Sequence, residues 1–196
     1  ELEIDGAGRD DDFAEELLDI ANAHADLLYI KTDGSLDDGM ELVSHPCTMD
    51  YHINEFPWED IMHHAVHQGY RSHQTSTCGL HLHVNRNTFS DNQEEQDEVI
   101  SRILYFVEHH WNELLKFSRR SEYAMNRWAA RYGYEHTPKA IMDKAKKGGN
   151  GRYAAVNLCN YHTVEFRLFR GTLKYNTFIA TIQLVNRICD AAMYNT

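Results

Sequence analysis

The 196-residue chain lacks several features that would declare a function at once. No stretch approaches the roughly 18 consecutive apolar residues of a membrane span, so no membrane partner is expected. Positive charge is in deficit, with 19 Lys and Arg against 30 Asp and Glu and a formal net charge of -11. That balance argues against a protein that grips a phosphate backbone by counterion release, so nucleic acid is not an expected partner either. The four cysteines, Cys47, Cys78, Cys159 and Cys189, stand far apart and form no C-x-x-C pair. A zinc ribbon and a thioredoxin-like motif are thereby excluded, and reduced thiols in a cytoplasmic protein are the expectation. Internal repeats and low-complexity tracts are also missing.

What is present suits one globular domain spanning residues 1–196. The hydrophobic fraction is 42% and the charged fraction 25%, ordinary values for a soluble chain long enough to bury a core. The chain opens at Glu1 without a methionine, already inside a strand pattern, so the domain is expected to be truncated at its N-terminus.

Glu1-Leu2-Glu3-Ile4-Asp5 alternates with period two, which places its acids on one strand face. Asp10 to Asp12 begin a helix that carries Phe13, Leu17 and Leu18 and ends near Asp26. Leu27 to Lys31 and Met40 to His45 read as strands around an Asp33-Gly34-Ser35 turn, and Pro57 opens the next helix. Gly79 to Arg86 alternates again, with His81, His83 and Asn85 opposite Leu80, Leu82 and Val84. One long helix is expected from Asn92 to Ser118, and a shorter one opens at Pro138. Strands at Tyr153–Leu158 and Thr163–Phe169 and a helix at Asn176–Met193 complete the pattern. The order implies an α+β domain with a mainly antiparallel sheet covered by helices on one face.

The polar side of these strands collects coordinating groups. Glu1 and Glu3 lie on one strand, Glu41 on another, His81 and His83 on a third, and Glu165 with Arg167 on a fourth, while Leu2, Ile4, Leu80, Leu82, Val84, Val164, Phe166 and Leu168 take the core side. Clustered carboxylates raise each other's pKa unless cations neutralise them, so this face implies bound metal. Oxygen-rich ligation with one imidazole suits Mg²⁺ or Mn²⁺ better than zinc. Singly, each motif has an ordinary reading: E-x-E as an exposed edge, H-x-H as a hydrogen-bonded pair, and Arg167 as a partner for neighbouring acids.

Together the motifs look familiar. Glu1-Leu2-Glu3, Thr32-Asp33-Gly34-Ser35 leading into Met40-Glu41-Leu42-Val43-Ser44-His45-Pro46, and Cys78-Gly79-Leu80-His81-Leu82-His83-Val84 come first. Arg152-Tyr153, Asn157, Thr163-Val164-Glu165-Phe166-Arg167 and Arg170-Gly171-Thr172 follow. In this order they resemble the amidoligase family of the carboxylate-amine ligase superfamily, to which glutamine synthetase and glutamate-cysteine ligase belong. The resemblance implies a glutamine synthetase-like curved sheet with helices on its convex face and an ATP-dependent, amide-forming ligase. The substrates would be a small-molecule or peptide carboxylate and an amine, joined through an acyl phosphate. By matching position, it implies Glu1, Glu3, Glu41, His81 and Glu165 as ligands of Mg²⁺ or Mn²⁺. Arg152, Arg167 and Arg170, with His83, would bind the nucleotide, and Asp33 would be a ligand or orient a substrate. Phosphoryl transfer asks mainly for positioning and charge neutralisation, so the lack of a P-loop is no obstacle. The competing readings are a metal-dependent hydrolase built on His81 and His83, and a binding protein without turnover.

Overall fold

The computed structural model describes residues 1–194. Its elements in chain order are β1 (Leu2–Asp5), α1 (Asp11–Ala21), β2 (Leu28–Lys31), β3 (Gly39–Ser44), α2 (Met49–Asn54), α3 (Trp58–His67) and β4 (Gly79–Asn85). Then come α4 (Gln93–His109), α5 (Trp111–Ser118), α6 (Glu122–Trp128), α7 (Pro138–Lys146), β5 (Val156–Asn157), β6 (Thr163–Arg170) and α8 (Tyr175–Tyr194). The fold is α+β, and its six strands lie in the order β2-β3-β1-β4-β6-β5. The pairs β2–β3, β3–β1, β1–β4 and β6–β5 run antiparallel.

The chain divides into two compact units, one made of Glu1–Leu80 with Arg170–Gln183, the other of His81–Phe169 with the described residues after Gln183. In the first, the register is fixed by side-chain chemistry as much as by backbone pairing. Leu2 pairs with Leu42 and with Leu80, and Ile30 with Leu42, which lines up an apolar row. One residue along, Lys31, Glu41 and Glu3 form the neighbouring row across β2, β3 and β1. A slip by one residue would exchange the two rows, so burial of the leucines holds the charged row in place. Gly39 closes the β1–β3 ladder opposite Asp5, where a Cβ would collide with the Ile4 carbonyl oxygen. Helix α1 starts at Asp10, whose side chain accepts from the amides of Asp12 and Phe13.

The second unit is mainly helical. Thr137 caps α7 by accepting from Ala140 N, with Pro138 in the first turn, and α7 packs on α4. The long helix expected from Asn92 to Ser118 is two helices, broken at His110 (φ -105°, ψ 27°). Its apolar periodicity runs through the break, because Trp111 and Leu114 continue the stripe of Ile103 and Val107 and all four are buried. The pattern therefore hides the interruption. Three other expectations also shift. Helix α1 ends at Ala21 rather than near Asp26. The strand expected at Tyr153–Leu158 shrinks to Val156–Asn157, because Gly151–Tyr153 winds into a 3₁₀ turn. Leu82 and Val84 are only half-buried, whereas Leu2, Ile4, Leu80, Val164, Phe166 and Leu168 lie in the core as expected.

Candidate metal and phosphate site

In the first unit, Glu3 and Glu41 face each other as paired residues on β1 and β3, and only 3% and 2% of their surfaces remain accessible. Like charges directly opposite on a sheet repel, and burial strengthens the repulsion. Each carboxylate has a partner. Glu3 accepts a hydrogen bond from the Gly79 amide. Glu41 receives the Lys31 ammonium at 3.0 Å, and the same Nζ reaches the Glu1 carboxylate at 3.2 Å. Burial opposes the charge of Lys31, yet Glu41 and Glu1 hold its pKa above the ordinary lysine value. Glu41 is nonetheless pushed above the usual carboxylate range, by burial first and by the Glu1 charge second, despite the pull of Lys31. Clustered carboxylate oxygens of this kind are the donors that a hard divalent cation takes.

Asp5, which shares the alternation of Glu1 and Glu3, has a different role. Its carboxylate accepts from the amides of Gly6 (2.8 Å), Asp38 (2.8 Å) and Asp37 (3.1 Å) and from the Thr77 hydroxyl (2.9 Å). Burial pushes its pKa up, but these four donors outweigh it and hold the group below its ordinary value. It ties three loops together. Asp33 accepts from Ser35 N at 2.6 Å, which fixes the turn into β3. Arg170 donates to the Thr75 carbonyl oxygen at 3.3 Å. Cys78, one residue before β4, is buried and its thiol is pushed up to about 12 by burial, so it is no nucleophile at neutral pH.

In the second unit, Glu165 on β6 lies opposite Asn157 on β5 and is 3% exposed. Its Oε2 accepts from Asn157 Nδ2 (2.7 Å) and Asn160 Nδ2 (3.1 Å), and its Oε1 accepts from Arg167 Nη1. His81 Nδ1 and His83 Nε2 stand 3.8 and 3.9 Å from the same Oε1, and His83 Nδ1 also meets the Thr163 hydroxyl at 3.0 Å. Burial raises the Glu165 pKa, but Arg167, the two histidines and Asn157 outweigh it and keep the carboxylate ionised. Arg167 is itself largely buried, and its Nε has no hydrogen-bond acceptor among the described residues. Arg152 is exposed; it donates to the Tyr153 hydroxyl at 2.9 Å and lies over that ring at 5.0 Å, with Arg167 over the same ring at 5.9 Å. Tyr153 therefore gathers two of the arginines named from the sequence.

Gly148 and Gly151, in the glycine-rich connection after α7, help to line a cavity of about 520 Å³. Its charged lining includes Arg86, which donates to the Leu158 carbonyl oxygen at 2.9 Å, and the Lys146–Asp97 pair at 2.6 Å.

A family model described as putative amidoligase enzyme matches residues 10–189. The chain belongs to the amidoligase family. The matched span includes Asp33, Glu41, His81, His83, Arg152, Glu165, Arg167 and Arg170, and begins after Glu1 and Glu3. No curated protein and no solved structure shows a significant match to the chain. Among the described residues no helix is long and apolar enough to cross a membrane.

Sequence reasoning missed Lys31, Asn157 and Tyr153 as members of these groups. The alternation that named the glutamates names no partners, because a partner depends on strand register. Asn157 and Tyr153 belonged to the motifs quoted for the family, which was the available signal. Lys31 had none beyond its place at the end of a strand.

Proposed function

We propose that this amidoligase is an ATP-dependent carboxylate-amine ligase that joins an acid to an amine through an acyl phosphate, with Mg²⁺ or Mn²⁺ as its metal. The observation that carries the reading is the buried Glu3–Glu41 pair, facing each other across β1 and β3. Opposed buried carboxylates destabilise a sheet unless a cation offsets their repulsion. In this reading Glu1, Glu3, Glu41, His81 and Glu165 hold the metal. The bound cation would supply positive charge against the triphosphate.

The chain's own groups handle the anions. Arg167 keeps Nη1 on Glu165 and has Nε to offer a phosphate oxygen. Arg152, already resting on Tyr153, adds charge from the exposed side. Arg170 and His83 complete the nucleotide contacts in this reading, and Asp33 orients one substrate through the turn that it fixes. The acid's oxygen attacks the terminal phosphorus and ADP leaves. The amine then attacks the acyl carbon, loses a proton, and phosphate leaves with the acid's oxygen. Residues that position and neutralise suffice for both steps, and no side-chain nucleophile is needed.

The experiment is incubation with Mg²⁺-ATP and pools of amino acids and short peptides, with ADP and new amide mass followed together. ADP released in step with an amide supports the ligase. Cleavage of the pools without ATP would instead support the hydrolase built on His81 and His83, which the family does not favour.

A further inference from the structure

Lys31 bonds to two members of the carboxylate row, and its placement is specific. Its backbone pairs with Glu41, and its Nζ sits 3.0 Å from Glu41 and 3.2 Å from Glu1. Two oxygens at such distances around one positive centre are what a metal ion would also gather, at shorter range. Unlike the acids that it serves, Lys31 is not enclosed, since its side chain is 43% exposed against 3% for Glu41. The flexible four-carbon stem allows the ammonium to leave the carboxylates and reach water with no change in β2.

We propose that Lys31 is a displaceable internal counterion: it neutralises Glu1 and Glu41 while no divalent cation is bound, and swings into solvent when one binds. The inference rests on the ligase reading's assignment of Glu1 and Glu41 as metal ligands. The charge balance explains why such a device is useful. Three carboxylates with no cation would destabilise the β1–β3 pairing on which the fold depends, so a metal-free chain needs a counter-charge. A permanent one would oppose the metal. A lysine at the rim serves as the first and yields to the second, and it sets the metal concentration at which the site fills.

The test uses Mn²⁺ alone as the probe. On the unaltered protein, acylation of Lys31 by an amine reagent, followed by peptide mass spectrometry, is compared in excess chelator and in saturating Mn²⁺. Labelling of Lys31 should rise with Mn²⁺, while that of a distant lysine such as Lys139 stays constant. Titration calorimetry should show Lys31→Met binding Mn²⁺ about three- to tenfold more tightly than the parent, since the competing ammonium is gone. Its melting temperature should be below the parent's in chelator and recover in Mn²⁺, and Lys31→Arg should resemble the parent in chelator. If Mn²⁺ binds but leaves Lys31 labelling unchanged or lower, or if Lys31→Met binds it no better, Lys31 is a fixed structural partner and the proposal fails. If the parent binds no Mn²⁺ at all, the metal assignment falls and the counterion role falls with it.

Discussion

Glu3 and Glu41 sit directly opposite each other on neighbouring antiparallel strands, both almost wholly buried, with Lys31 completing the row on the next strand. The leucines and isoleucines of the adjacent row fix this register, so hydrophobic packing forces two like charges together. The Glu41 carboxyl is held above its ordinary range, by burial first and by the Glu1 charge second.

A stability measurement against pH follows. Glu41 binds protons more tightly in the folded chain than its ordinary value of 4.5, so the folded state holds more protons than the unfolded one just above that pH. In chelator, its contribution should therefore fall as pH rises from 4.5 through the elevated folded value. Glu41→Gln should flatten this part of the profile, and Mn²⁺ should do so in the parent. Denaturant unfolding across that range checks it; a parent profile that rises with pH there, or one unchanged in Glu41→Gln, contradicts it.

Asp5 has the opposite sign. Its folded pKa lies below the ordinary 3.8, so its contribution is fully present above that value and is lost as pH falls through the folded one. Removing an acceptor that serves four donors should cost about 3 kcal/mol or more in Asp5→Ala. Urea unfolding at neutral pH measures this, and a loss under about 1 kcal/mol would show that the loops hold without it.

Arg167→Lys tests the phosphate role. The lysine keeps a charge beside Glu165 but loses the buried Nε donor and the planar fork. Turnover should fall about tenfold or more while stability changes by about 1 kcal/mol, because the lost contact matters most when phosphoryl charge develops. Unaltered ADP formation would remove Arg167 from the mechanism.

Nucleotide binding should require the divalent cation, since bare triphosphate would meet the Glu1, Glu3 and Glu41 row. Equilibrium binding of ATP should be strong in Mg²⁺ and lost in excess chelator. Equal affinity in both would show that nucleotide binds elsewhere.

The sequence made the strands of the polar row legible because period-two alternation marks a face without any knowledge of pairing. Glu1, Glu3, Glu41, His81, Glu165 and Arg167 were all named that way, and Arg152 and Arg170 by resemblance. Alternation alone could not separate Asp5 from Glu3, which occupy the same phase on β1. Their difference lies in loops from residues 37–38 and 77 that close over Asp5 alone. Nor could it find Lys31, whose role depends on β2 pairing with β3 in one register. The break at His110 was hidden for a related reason, since two helices in line can share one apolar stripe.

The most direct test of the ligase mechanism is isotopic. Amino acid and peptide pools labelled with ¹⁸O in their carboxylates are incubated with the protein, Mg²⁺ and ATP, and the released inorganic phosphate is weighed by mass spectrometry. An acyl phosphate transfers one carboxylate oxygen to phosphate, so ¹⁸O should appear there in proportion to the amide formed. Amide formation with unlabelled phosphate, or products formed without ATP, would contradict the mechanism.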